Sequence, residues 1–178
     1  LVSLIKEEPR LRLAALRGAL CFACFSAFWT TLVFLLREPP FSQGSAVAGA
    51  FGLIGAFGAL AASLIGRMSD KANPDRLITY TLLLLLISFI IFIGFSHSMA
   101  ALVVGVILMD MGVQATHISN QAIIFSLNPS ARNRINTVYM VSYFAGGSAG
   151  TFLASKVWGP YHWAGGCAIG ITLSVIVL

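Results

Sequence analysis

The chain has 178 residues, of which 58% are hydrophobic and 10% are charged, with a net charge of +5 and a mean hydropathy of +0.90. Soluble domains carry roughly 25% charged residues, so this composition excludes an ordinary water-soluble globule and indicates a membrane protein. The positive charges lie in short segments between apolar runs, which favours a role in membrane topology and argues against a nucleic-acid partner.

Six apolar runs follow one another along the chain, and a helix needs about 20 apolar residues to span a bilayer. The runs are 18–36, 45–65, 77–95, 99–127, 137–155 and 164–178. We therefore predict an all-α membrane protein with six transmembrane helices. In this interpretation residues 1–17 form a cytoplasmic linker and the entry to the first helix, and residues 18–178 form the membrane domain, with a truncated last helix.

Lysine and arginine are distributed unequally among the connecting segments. Nine of them lie before the first run, between the second and third runs, or between the fourth and fifth, whereas Arg37 and Lys156 lie on the opposite side. Because cytoplasmic segments are enriched in Lys and Arg, we predict that both termini are cytoplasmic.

Glycines crowd the second and fifth runs, which are the middle members of two three-helix sets. Small residues at close spacing let helices approach each other, so these glycines predict helix packing. The residues concerned are Gly52, Gly55, Gly146, Gly147 and Gly150. Two three-helix sets of opposite topology are typical of secondary transporters, and the pattern predicts a 3+3 inverted repeat.

Residues 146–150 also spell G-x-S-x-G, the pattern of a hydrolase nucleophile elbow. An elbow serine needs a strand-to-helix turn, whereas Ser148 lies within an apolar run that has no strand partner. His117, in another run, could act as its base, so an intramembrane serine hydrolase is an alternative. Cys21 and Cys24 form a C-x-x-C with no nearby His or acid, so we expect no metal site there. We also expect no cofactor and no enzyme activity.

The fourth run carries a stripe of polar residues. Asp110 is the only formally charged residue within the five complete runs, and an ionised Asp at a helix centre costs about 2.5–3.5 kcal/mol. Residues spaced three or four apart share a helix face. The stripe comprises Asp110, Gln114, His117 and Gln121, with Asn120 alongside. We predict that it lies on a proton or substrate pathway; a ladder of hydrogen bonds between helices is the alternative.

Phe25 and Trp29 are four residues apart in the first run and share a helix face. They could line an apolar pocket for an amphipathic solute, or simply face lipid or pack against other helices.

The connection between the second and third runs, "GRMSDKANPDR", is short and polar. We predict that Gly66, Arg67, Asp70 and Lys71 make contacts that break and re-form as helix bundles rock. A solvated loop that fixes topology by charge is the alternative.

Four segments carry a resemblance: "FSAFWTTLVFLLREPPF", "GLIGAFGALAASLIGRMSDK", "LMDMGVQATHISNQ" and "NPSARNRINTVYMVSYFAGGSAG". With them the chain resembles the C-terminal six-helix half of a major facilitator superfamily (MFS) transporter, most of all the bacterial drug and sugar efflux branch (arabinose-efflux-permease-like). The resemblance implies that Gly66, Asp70 and Lys71 belong to a cytoplasmic loop that contacts the other half of the transporter. Asn73 stands where that loop usually has a second glycine.

The resemblance implies a secondary active antiporter of the bacterial inner (plasma) membrane. We expect proton-coupled efflux of small drug-like or sugar-like organic solutes by alternating access. The expected partners are the solute, protons, the lipid bilayer and an N-terminal six-helix half outside this sequence. A non-transporting membrane sensor on the same fold is a further alternative.

Overall fold

The computed structural model describes the backbone of residues 2–68 and 73–178, and the side chains of these ranges except 2–4, 45, 59 and 61–68. Every regular element in these ranges is helical, which confirms the predicted all-α fold. The helices are α1 (Val2–Glu7), α2 (Pro9–Arg37), α3 (Ser45–Met68), α4 (Pro74–Gly94), α5 (Met99–Leu127) and α6 (Arg132–Val177), with a 3₁₀ turn at Pro129–Ala131.

The longest helix, α6, is two helices joined at a kink. His162 has φ 47° and ψ −138°, outside the helical region, and Pro160 lies just before it. Proline removes a backbone N–H and crowds the preceding turn, so the helix breaks there. The first arm (residues 132–161) and the second arm (residues 163–177) correspond to the fifth and sixth predicted runs. With α2, α3, α4 and α5 they confirm the six-helix prediction.

Local sequence explains where several helices begin. Pro9 and Pro74 stand at the first helical positions of α2 and α4, where the missing N–H costs nothing. Asn73 caps α4 by accepting a hydrogen bond from the backbone N–H of Asp75 at 3.0 Å. Helix α2 thus begins well before the apolar run at residue 18, because the polar turns after Pro9 are helical as well.

The lengths of the helices suit a bilayer. By length and hydropathy, α2, α4, α5 and the stretch Pro129–Val177 could each cross a membrane, and α3 contains a shorter apolar stretch, Ala46–Gly58. Two polar contacts mark the ends of the bundle. Arg17 of α2 lies 3.4 Å from Asp75 of α4, and Glu38, just after α2, lies 3.6 Å from His162 at the kink.

Helix α2 packs most extensively against α6, and small residues make this contact close. A Cβ added at Gly146 would overlap the backbone carbonyl of Ala19, and one at Gly150 would overlap that of Ala23. These glycines lie one helical turn apart, so they present a smooth strip on which the backbone of α2 rests. Gly147, on the same arm, meets the ring of Phe22.

An aromatic cluster holds the second arm of α6 against α2 and α4. The rings of Phe28 and Phe92 stack with centroids 4.4 Å apart, and Trp163 meets both rings edge-on. The buried indole N–H of Trp163 donates to the backbone carbonyl of Phe92 at 2.9 Å. A buried tryptophan thereby gains a hydrogen-bond partner, and the start of the second arm is fixed in place.

Candidate functional site

The candidate site is centred on Asp110, near the middle of α5. The residue is only 4% exposed, and its Oδ2 has no hydrogen-bond partner among the described residues. A buried polar group without a partner is costly, and a carboxylate in a membrane-spanning helix is more so. Asp110 therefore needs a proton, a ligand or another part of the protein to compensate it.

Helix α3 crosses α5 directly over this carboxylate, at two glycines. A Cβ placed at Gly55 would lie 2.8 Å from Asp110 Oδ2, and one at Gly58 would lie 3.0 Å from Asp110 Cβ and from the carbonyl oxygen of Ile107. Any larger side chain would force the helices apart or displace the carboxylate. These glycines therefore set the distance between α3 and Asp110.

A cavity of about 400 Å³ opens beside the carboxylate, between α2, α3 and α5. It is lined by Phe25, Trp29, Gly52, Gly55, Ala56, Asp110 and Gln114. The rings of Phe25 and Trp29 lie with centroids 6.0 Å apart. The structure thus brings the two aromatic residues noted in the sequence together with the first two members of the polar stripe.

Gly52, which the sequence predicts as a packing residue, lines the cavity in the described structure, and its packing role stays a prediction. A Cβ at Gly52 would have no described atom within 4 Å, and the residue lines the cavity. Gly52 and Gly55 therefore differ in their surroundings: Gly55 meets Asp110 of α5, whereas no described atom lies near Gly52.

The residues of the stripe that follow Gln114 along α5 have different neighbours from those of Asp110. His117 Nδ1 lies 3.0 Å from the hydroxyl oxygen of Tyr139, and its ring centroid lies 4.8 Å from that of Tyr143. Asn120 is fully buried, and Gln121 is half-buried. We call His117, Tyr139 and Tyr143 the histidine–tyrosine cluster. Its residues do not line the cavity that contains Asp110.

The two tyrosines of this cluster are not among the site residues predicted from the sequence. Tyr139 and Tyr143 are four residues apart on the first arm of α6, and both are buried. Their spacing could have placed them on one helix face. Nothing local could have shown that this face meets His117.

Ser148 is not arranged as a nucleophile. Its hydroxyl donates to the backbone carbonyl of Phe144, one turn earlier in the same helix, at 3.1 Å. A catalytic serine needs a base within hydrogen-bond reach, and the ring of His117 is instead bonded to Tyr139. The geometry therefore does not support the serine hydrolase alternative.

The predicted conformational loop is only partly within the described structure. Gly66 and Arg67 lie in the last turns of α3, where only the backbone is described. Asp70 and Lys71 lie outside the described residues. The rocking contacts assigned to these four residues therefore remain a prediction.

A family sequence model and several individual relatives all match this chain. The sequence model of the Major Facilitator Superfamily matches residues 1–177. The uncharacterized transporter YgaY of Escherichia coli O157:H7 is 45% identical over 177 residues, 99% of this chain and 45% of that protein. The probable transporter SCO4007 of Streptomyces coelicolor is 32% identical over 167 residues, 93% of this chain and 39% of that protein.

A more distant relative is the uncharacterized MFS-type transporter YybF of Bacillus subtilis. It is 21% identical over 148 residues, 83% of this chain and 36% of that protein. No solved structure matches the chain. The chain spans less than half of the length of the curated relatives that it matches.

Proposed function

Because the chain belongs to the Major Facilitator Superfamily, a family of membrane transporters and not of enzymes, we propose that the complete protein is a secondary active transporter. It moves a small organic solute by alternating access, and a proton gradient drives the solute out of the cell. In this proposal the chain supplies the C-terminal half of the transporter, an inverted repeat of two three-helix sets, in a bacterial inner membrane. Residues 1–17 and the carboxyl terminus lie in the cytoplasm.

The observation that carries this proposal is the buried carboxylate of Asp110. A charge at this depth is retained at a cost of about 2.5–3.5 kcal/mol on insertion scales, which argues for a functional role. The cavity beside it can change its access from one side of the membrane to the other when helices move. Asp110 can then take up a proton or a solute on one side and release it on the other.

The neighbouring residues have distinct roles in this proposal. Gln114 shares the cavity and supplies a polar contact, whereas Phe25 and Trp29 form its apolar wall. The histidine–tyrosine cluster, with Asn120 and Gln121 beside it, continues the polar face of α5 away from the cavity. We assign it a place on the path by which protons leave Asp110.

The loop after α3 has the conformational role that its motif implies. Gly66, Arg67, Asp70 and Lys71 would contact the other half of the transporter in one orientation of the two halves and lose that contact in the other. We propose that the transported solutes are drug-like or sugar-like because the sequence resembles the efflux branch.

The test is gradient-driven flux by the full-length parent protein in proteoliposomes. A pH gradient is imposed, a panel of drugs and sugars is offered, and wild type is compared with Asp110→Asn. The matched control is Glu38→Gln, which removes a carboxylate that is exposed near the kink. We expect flux in the wild type and the control, and at least a tenfold loss in Asp110→Asn.

Equal flux in wild type and Asp110→Asn would reject the role of this carboxylate while the transporter function stands. An absence of flux for every compound, with signalling retained in cells, would favour the sensor alternative.

A further inference from the structure

We infer that the cavity between α2, α3 and α5 binds a monovalent organic cation that carries an apolar group, such as a substituted ammonium. This inference rests on the proposed function, because it names the class of solute for the same site. It is more specific than the drug-like or sugar-like solutes that the resemblance suggests.

The charge of the cavity favours a cation. Among the described residues that line it, Asp110 is the single charged side chain, and its Oδ2 has no partner. A cationic ligand would compensate this carboxylate, which is only 4% exposed, and an anion would be repelled by it. The ligand therefore supplies a positive charge to pair with Asp110, which the described part of the protein does not provide.

The polarity of the walls argues against a sugar. Beside Asp110, the cavity is lined by Gln114, two aromatic rings, two glycines and an alanine. A polyhydroxylated solute would lose its hydration without gaining enough hydrogen bonds in return, since few polar side chains face it. A ligand with one charge and an otherwise apolar surface loses little.

The aromatic wall lies close to the carboxylate. A Cβ at Gly55 would lie 2.8 Å from Asp110 Oδ2 and 3.4 Å from Trp29 Cζ2, so the carboxylate oxygen and the indole both lie close to the same point on α3. Tryptophan attracts cations to its ring face most strongly of the aromatic side chains. A cation in the cavity can thus contact the carboxylate and the ring of Trp29 together.

The experiment is equilibrium binding to the purified full-length parent protein in detergent, without a gradient, at pH 8, where Asp side chains are generally ionised. The probe is radiolabelled benzyltrimethylammonium. The competitor is neopentylbenzene, in which a neutral carbon replaces the ammonium nitrogen and the shape is unchanged. The variants are Asp110→Asn, Trp29→Leu and Trp29→Phe. The controls are Glu38→Gln and Trp158→Leu, because Trp158 packs on Phe34 and does not line the cavity.

We expect Asp110→Asn to weaken binding of the cation by about tenfold or more. Trp29→Leu should weaken it by about five- to thirtyfold, and Trp29→Phe by less, because a phenyl ring still attracts cations. The two controls should bind as the wild type does, and neopentylbenzene should not compete. Monodisperse elution of each variant in size-exclusion chromatography shows that it is folded.

Failure of the probe to bind, or competition by neopentylbenzene at the same concentrations as the unlabelled cation, would overturn the inference. So would unchanged binding in both Asp110→Asn and Trp29→Leu. If a neutral solute is pumped in proteoliposomes while the cation does not bind, the transporter proposal survives and the cation inference fails. Binding of the cation with the expected variant pattern supports the inference even when no flux is found.

Discussion

Gly55→Ala tests whether the close approach of α3 shapes the site. The added Cβ would stand 2.8 Å from Asp110 Oδ2 and 3.3 Å from its Cγ, and a gap below 3.0 Å forces either the carboxylate or helix α3 to move. Overpacking of this kind costs about 1–3 kcal/mol. Alanine recovers up to about 1 kcal/mol of helix propensity relative to glycine, so we expect a net loss of about 0–2 kcal/mol.

The matched control is Gly49→Ala in the same helix, where the new Cβ meets no described atom within 4 Å. That variant gains the helix propensity without the clash, so it should be at least as stable as wild type. Gly52→Ala is a second comparison, because it narrows the cavity without touching Asp110.

The assay for stability is thermal unfolding of the full-length protein, followed with a thiol-reactive fluorophore. Cys21, Cys24 and Cys167 are buried and free, so they react when the helices separate. Binding of benzyltrimethylammonium is measured on the same samples. We expect Gly55→Ala to unfold at a lower temperature than Gly49→Ala and to bind the cation several-fold more weakly. If the two variants are equal in both measurements, the geometry assigned to Gly55 is wrong.

Three further outcomes are expected. Gly150→Ala places a Cβ against the backbone carbonyl of Ala23 and should lower the unfolding temperature, whereas Gly49→Ala, whose new Cβ meets no described atom within 4 Å, should not. Tyr139→Phe leaves His117 Nδ1 without its partner and should cost about 1–2 kcal/mol in denaturant unfolding; no change would show that the bond contributes nothing. Ser148→Ala should retain flux, and fluorophosphonate labelling that disappears in this variant would revive the hydrolase alternative.

Much of the architecture follows from the amino-acid sequence by itself. Hydropathy and length identify a membrane helix from a single segment, so the six runs predict the six helices. Proline and asparagine act on their immediate neighbours, so starts such as Pro74 after Asn73 follow from local sequence. The unusual depth of Asp110 is also a local property, since it depends only on its position within one run.

Only the tertiary structure decided which side chains lie next to Asp110 and His117, because those neighbours come from distant segments of the chain. The sequence could not show that Gly55 covers Asp110 while Gly52 opens a cavity, because both are glycines in the same run and differ only in which side of α3 meets α5. Nor could it separate His117 from Asp110, since residues two turns apart on one face look equivalent until Tyr139 packs against one of them. Helix faces are set by local periodicity, but their partners are chosen by the packing of the whole bundle, and that choice made the cavity.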